Sequence, residues 1–247
     1  VDNSPPIANA GPMQNLNCNS LSTNLGIAPV SGYSYSWTPT NSLNASTIAQ
    51  PIASPTTSTI YTVVVTGSNT CTATSQVSIN VDNSPPLIDA GNTVNLNCLS
   101  SSGSIGTNAI PGNAYNWQPT SGLNNSMLAQ PVASPNTSTT YTLQVIGANG
   151  CMAYDSVTVN VKPISSIIIS PDSLVCQGDS IHINVSGGNS YQWAPSNGLN
   201  VSLGANVVCS PSSTTTYTIS YTDSIGCVGI ALKTIEVLES PTISVSK

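Results

Sequence analysis

The sequence contains no Arg, no Phe, only three Lys and a single His. Without clustered basic side chains the chain cannot neutralise a run of phosphates, which excludes nucleic acid as a partner. The same shortage excludes attachment to anionic lipid through a basic patch. Charged residues make up 5% of the chain, against roughly 25% in an average globular protein. A Ser–His–acid arrangement needs a histidine, and His182 lies in the alternating run Ile181-His-Ile-Asn-Val185, pointing away from its apolar neighbours. Glycosidase chemistry needs two carboxylates across one cleft, whereas the nine acidic residues are scattered over turns and linkers. A hard cation wants six to eight oxygens, several of them carboxylates, and the linkers offer only Asp2, or Asp82 with Asp89. No catalytic residue, cofactor site or metal ligand is expected, and the chain reads as a non-enzyme. No run approaches the roughly 18 apolar residues of a membrane-spanning helix, so no membrane insertion is expected in this segment.

What remains is 39% hydrophobic residues in short Val/Ile/Tyr runs, and seven cysteines. None of the cysteines forms a C-x-x-C pair, so they read as disulfides and not as a zinc or redox site. That predicts an oxidising, extracytoplasmic location.

Internal repetition is the strongest signal. Asp2-Asn-Ser-Pro-Pro6 returns as Asp82-Asn-Ser-Pro-Pro86, and Cys18, Trp37, Tyr61 and Cys71 return 80 residues later at Cys98, Trp117, Tyr141 and Cys151. A third, diverged unit places Cys176, Trp193, Tyr217 and Cys227 in the same order. The predicted domains are 1–81, 82–161 and 162–238, with 239–247 as the linker and first strand of a following repeat. The chain begins at Val1, not Met, and its register suggests a window on a longer array.

Each unit alternates large apolar with small polar residues, as in Tyr33-Ser-Tyr-Ser-Trp37 and Tyr61-Thr-Val-Val-Val65, the period of half-buried strands. Gly67-Ser-Asn-Thr70 and Gly147-Ala-Asn-Gly150 read as hairpin turns before the last strand. No helical period is present. The fold class predicted is all-β: tandem immunoglobulin-like sandwiches with one disulfide each. Because one Cys follows the first strand and the other precedes the last, the expected pairs are Cys18–Cys71, Cys98–Cys151 and Cys176–Cys227. Each would staple first strand to last within its own sandwich. Cys209 is left over; standing where the other units have Ala53 and Ala133, it reads as a buried free thiol. Trp37, Trp117 and Trp193 read as core residues sharing a face with Tyr35, Tyr115 and Tyr191.

Three motifs carry a family resemblance. They are Tyr-x-Trp-x-Pro followed by Leu (Tyr35 to Leu43, Tyr115 to Leu123), Ala-Ser-Pro leading to Tyr-Thr (Ala53 to Thr62, Ala133 to Thr142), and Asn-Thr/Gly-Cys before the last strand. Together they resemble the PKD-like and Ig-like tandem repeats of large Bacteroidota cell-surface proteins, including gliding-motility adhesins and type IX secretion cargo. The resemblance implies a structural stalk or fibre segment of an adhesin or filament. Its partners would be neighbouring repeats, with self-association into fibres or a surface polysaccharide beside them. The alternatives are a carbohydrate- or protein-binding module, or spacer repeats of a secreted enzyme.

Four of the seven Asp precede Ser and an aliphatic residue, at Ser156, Ser173, Ser180 and Ser224. This resembles the Bacteroidota O-glycosylation acceptor and would make the chain a glycoprotein. The competing reading is turn chemistry, since Asp-Ser before a strand satisfies backbone donors locally.

Overall fold

The computed structural model describes residues 3–171 and 173–239. The linker and opening strand expected at 239–247 therefore lie outside the described residues, apart from Glu239. Among the described residues there are nineteen strands and no helix.

The first repeat holds β1 (Gln14–Asn17), β2 (Thr23–Asn24), β3 (Ser34–Thr38), β4 (Ile52–Ala53), β5 (Thr59–Thr66) and β6 (Thr72–Asp82). The second holds β7 (Val94–Leu96), β8 (Gly103–Ser104), β9 (Ala114–Gln118), β10 (Val132–Ala133), β11 (Thr139–Ile146) and β12 (Met152–Val161). The third holds β13 (Ile168–Ile169), β14 (Leu174–Cys176), β15 (Ile181–Ser186), β16 (Ser190–Ala194), β17 (Asn206–Cys209), β18 (Thr215–Thr222) and β19 (Val228–Leu238).

Three four-stranded sheets share one order: β1-β6-β5-β3, β7-β12-β11-β9 and β14-β19-β18-β16. Smaller sheets accompany them, β2-β4, β10-β8 and β13-β15-β17. The alternation read from the sequence decides which side chains face in. Along β5, Tyr61, Val63 and Val65 are buried while the residues between them are not. They meet Trp37 of β3, Val77 and Ile79 of β6, Leu16 of β1 and Ala53 of β4 in one core. In the third repeat Trp193, Tyr217, Ile219 and Ile235 pack with Ile183, Val185 and Val207 of the second sheet. The chain is thus all-β, built as tandem immunoglobulin-like sandwiches.

The Trp indoles solve their polar problem identically in each repeat. Trp37, Trp117 and Trp193 donate Nε1–H to the carbonyls of Ile48, Leu128 and Gly204 at 2.9, 3.0 and 3.1 Å. A buried indole N–H left unpaired would cost the desolvation of that group. Gly26 lines the same ring at φ +71, where a Cβ would sit 2.1 Å from the Ala49 carbonyl oxygen. The Tyr61, Tyr141 and Tyr217 hydroxyls donate to the carbonyls of Asn41, Ser121 and Asn197. Burial pushes all three phenols above their ordinary pKa.

The first strand of each sheet runs parallel to the last. β1 pairs with β6 from Gln14↔Ile79 to Asn17↔Asp82, β7 with β12 from Val94↔Val159 to Leu96↔Val161, and β14 with β19 from Leu174↔Glu236 to Cys176↔Leu238. By spatial proximity the chain falls into two compact units, which do not follow the repeats. One comprises the residues through Asn92 with Ser104–Val132 and Thr140–Val157; the other comprises Thr93–Gly103, Ala133–Thr139 and the residues from Thr158 onward.

Candidate functional site: the disulfide staples

Parallel pairing overturns the disulfide assignment made from the sequence. In β1 the chain leaves at Asn17, opposite Asp82 at the far end of β6, so Cys18 sits beside the C-terminal end of that strand. Cys71 precedes Thr72, at the strand's N-terminal end. Eleven residues of strand separate the two positions, a distance of roughly 36 Å at the rise of a strand. A disulfide tolerates a Cα–Cα distance of only about 4.4–6.8 Å, so Cys18 and Cys71 cannot pair. The same register separates Cys98 from Cys151 and Cys176 from Cys227. The expectation of one disulfide within each sandwich is corrected accordingly.

The structure pairs Cys18 with Cys151 and Cys98 with Cys227, at Cα–Cα distances of 5.0 and 5.6 Å. Each bond joins the Cys after the first strand of one repeat to the Cys before the last strand of the next. The sequence separations are 133 and 129 residues. Cys71 and Cys176, both expected in disulfides, are free.

The loop presenting Cys151 is closed by the amide N–H of Gly147 donating to the Cys151 carbonyl at 2.8 Å, and that of Gly150 donating to Gly147 at 2.9 Å. Asn149 holds it with both ends of its amide. Oδ1 accepts from the Cys151 N–H at 3.1 Å, and Nδ2 donates to the Ser84 carbonyl at 2.8 Å. The main chain of this loop meets the first-repeat cysteine directly, Cys18 N–H donating to the Asn149 carbonyl at 3.2 Å. Gly150, at φ +78, packs so closely that a Cβ would lie 2.2 Å from the Asn19 side chain. Asp82, nearby and exposed, is held below its ordinary pKa by the Ser84 backbone N–H and then by the Asn149 and Ser84 side chains.

The loop presenting Cys227 has the same backbone closure, with Asp223 N–H donating to Cys227 at 2.9 Å and Gly226 N–H to Asp223 at 3.1 Å. Here one carboxylate replaces the asparagine. Asp223 Oδ1 accepts from Ile225, Gly226 and Cys227 at 2.9, 3.1 and 3.0 Å, and Oδ2 accepts from the Ser165 N–H at 3.5 Å. Only 2% of Asp223 is exposed. Burial works to raise its pKa, but the N–H groups of Ile225, Cys227, Ser165 and Gly226 together hold it below the ordinary value. A cavity of about 460 Å³ adjoins this bond, lined by residues including Leu96, Cys98, Pro135, Lys162, Pro163 and Cys227.

Cys209 lies on β17, fully buried and without a disulfide. Burial pushes its thiol up, against a smaller pull downward from Lys233. That favours the unreactive protonated form. His182 is exposed on β15. Ser156, Ser180 and Ser224 are exposed and Ser173 is half-buried; Asp172, which precedes Ser173, lies outside the described residues. Two of the preceding aspartates carry turn and strand contacts, Asp223 as above and Asp155 by accepting from Ala90 and Ser156 at 2.8 Å each. Among the described residues no cluster of three or more His, Cys, Asp or Glu side chains is placed to hold a metal. The sequence reading missed Asn149 and Asp223 as the groups shaping the staples. Their signal was faint: an Asn two residues before one Cys, an Asp four before the other.

No family model and no curated protein matches the chain. Among solved structures it is similar to the human desmocollin-1 ectodomain, at 11% identity and TM-score 0.35, covering 95% of this chain and 58% of that one. Immunoglobulin domains 1–5 of sidekick-1 give 14% identity and TM-score 0.35, over 95% and 59%. The extracellular cadherin domains 1–4 of protocadherin gamma B7 give 12% and 0.40, over 92% and 74%. The chain spans about three fifths of the length of the first two. At such scores the likeness carries no argument about function.

Proposed function

We propose that the chain is a non-catalytic, load-bearing segment of an extracellular bacterial stalk or fibre, of the PKD-like repeat type of Bacteroidota surface proteins. Residues 1–81, 82–161 and 162–238 are its structural periods. One observation carries this reading: both disulfides join a repeat to its successor, and their loops overlap. Between the two bridges the covalent chain offers three parallel routes, residues 18 to 98 (80 residues), 98 to 151 (53) and 151 to 227 (76). A pull along the chain can extend the segment only to the limit of the shortest route. At about 3.5 Å per residue that limit is roughly 190 Å, against roughly 730 Å for the 209 residues from 18 to 227 once the bridges are reduced. Formation of such bonds fits an oxidising, extracellular setting.

Single-molecule extension between the chain ends tests the reading. The oxidised protein should stop near the short limit and the reduced protein should reach the long one. Full extension without reductant would remove the load-bearing role. The Asp-Ser-aliphatic sites belong to the same reading as O-glycan carriers on the exposed Ser156, Ser180 and Ser224 and the half-buried Ser173. An intact mass of source-isolated protein equal to the bare polypeptide with its disulfides would remove that part.

A second reading, a protein-binding module, is favoured by one feature of the third repeat. Val228, Ile230 and Leu232 project outward from β19 at 70, 69 and 65% exposure. Beside Val228 lies a groove of about 290 Å³ edged by Leu203 and Tyr221.

A further inference from the structure

Cys71 stands 80 residues before Cys151, in the same loop of its repeat, and Cys176 stands 78 residues after Cys98, at the same end of its first strand. The equivalents of both are bonded in this chain, twice over, in one pattern: the Cys after a first strand takes the Cys before the last strand of the next repeat. The loop around Cys71 is already in the bonded shape. Gly67 N–H donates to the Cys71 carbonyl at 2.9 Å, Cys71 N–H donates to Asn69 Oδ1 at 3.1 Å, and Asn69 Nδ2 donates to the Ser4 carbonyl at 2.9 Å. These match the contacts of Gly147, Asn149 and Cys151 within 0.1 Å. Cys151 and Cys227 are 3% and 2% exposed, whereas their unbonded counterpart Cys71 is half-buried; Cys176 is exposed, as its bonded counterparts Cys18 and Cys98 are. Cys209, in contrast, has no bonded equivalent and is fully buried.

We propose that Cys71 and Cys176 are the two complementary halves of the same inter-repeat staple, each bonding a further repeat of this construction. Cys71 takes a Cys of the Cys18 type and Cys176 takes a Cys of the Cys151 type. The linkage is directional, so a second copy of this chain satisfies it head to tail, through Cys176 of one copy and Cys71 of the other. It extends the stalk reading from a stapled segment to a continuous ladder.

The bond forms by thiol–disulfide exchange with a small disulfide oxidant such as oxidised glutathione. The Cys71 thiolate attacks the oxidant and expels one thiolate, leaving a mixed disulfide. The Cys176 thiolate of the second copy then attacks the Cys71 sulfur and expels the other. Two cysteine thiols lose two protons and two electrons, and one oxidant disulfide becomes two thiols.

The test is to incubate the full chain, its two internal disulfides intact, in a glutathione redox buffer. A protein concentration of about 1 mM matches what a short tether would supply. Non-reducing gels and disulfide peptide mapping then identify the linkages. The expected result is a ladder of head-to-tail oligomers in which Cys71–Cys176 linkages exceed the symmetric Cys71–Cys71 and Cys176–Cys176 ones by at least ten-fold. Cys71→Ser and Cys176→Ser variants, each monomeric alone, should combine into a dimer and go no further. A statistical mixture of linkages, or no intermolecular disulfide, overturns the proposal. In protein isolated from its source, a Cys71 peptide joined to the Cys176 peptide identifies a second copy, and one joined to a cysteine absent from this sequence identifies a neighbouring repeat of a longer polypeptide. Retention of Cys18–Cys151 and Cys98–Cys227 on the same map reports the stalk reading separately.

Discussion

The loops that present Cys151 and Cys227 have one backbone shape and two chemistries. Each closes with an N–H of its first residue on the carbonyl of the cysteine, and each delivers that cysteine to the end of the preceding repeat. In the first compact unit a neutral amide two residues before the cysteine holds the turn, bonded also to the Ser84 carbonyl. In the second a buried carboxylate at the first loop position collects four N–H groups. The staple therefore constrains the position of the cysteine and leaves the means of holding it open. Asparagine gives a turn indifferent to pH, whereas aspartate ties the turn to its ionisation.

The largest effect should come from the bonds themselves. In the chain-entropy account of disulfides, closing loops of 133 and 129 residues contributes about 5 kcal/mol each. Cys151→Ser and Cys227→Ser should thus lower stability by similar, large amounts in urea titrations with linear extrapolation. Cys71→Ser and Cys176→Ser remove thiols that bond nothing within the chain, and their midpoints should stay within about 0.5 kcal/mol of the parent. Unequal losses at Cys151 and Cys227 would show that the loops, and not chain entropy, set the strength of the two staples.

The chemical difference between the loops is the next effect. A carboxyl whose folded pKa lies below its unfolded value stabilises the fold above the unfolded value, about pH 4 for Asp. That stabilisation is lost as pH falls through the folded value. Asp223 is such a group, so the Cys227 loop should loosen below about pH 4. Amide exchange of Ile225, Gly226 and Cys227 should report this. The Asn149 loop should keep its protection, apart from a solvent-screened contribution of the exposed Asp82. Asp223→Asn keeps an acceptor in place and should flatten the pH response. Asn149→Ala should cost about 1 kcal/mol at any pH, the net value of a hydrogen bond. An acid response in the Asn149 loop equal to that of the Asp223 loop would erase the distinction.

Much of this architecture could be read from the residues. Alternation found β3 and β5, and the repeat carried them to the matching Trp and Tyr of the other units, because burial of one sheet face writes itself into every second side chain. Strand direction leaves no such mark. β1 and β6 lie more than 50 residues apart, so no tight turn forces them antiparallel, and Leu16 shows the same inward phase either way. The disulfide partners depend entirely on that direction, which is why disulfide formation was legible for four of the six cysteines expected to bond, Cys18, Cys98, Cys151 and Cys227, while their partners were not, and Cys71 and Cys176 are free. Asn149 and Asp223 were visible only as turn residues; which N–H groups they accept is fixed by the folded loop.

The smallest effect concerns the outward face of the last strand. At matching positions the first repeat presents Thr72, Thr74 and Gln76, the second Met152, Tyr154 and Ser156, and the third Val228, Ile230 and Leu232, all exposed. In the third repeat these stand opposite Thr222, Ser220 and Thr218 of β18, so the apolar stripe has polar neighbours across the sheet. Substitutions at exposed strand positions usually change stability by no more than about 0.5 kcal/mol each. The variant Val228→Thr, Ile230→Thr, Leu232→Gln, which copies the first repeat, should therefore unfold near the parent midpoint. Its binding of a hydrophobic dye and its retention on a hydrophobic column should nevertheless fall. If both surface readouts stay unchanged, the stripe is not an accessible apolar surface and the protein-binding reading loses its support. If they fall while the staples keep their strength, load bearing and recognition occupy separate parts of the same repeat.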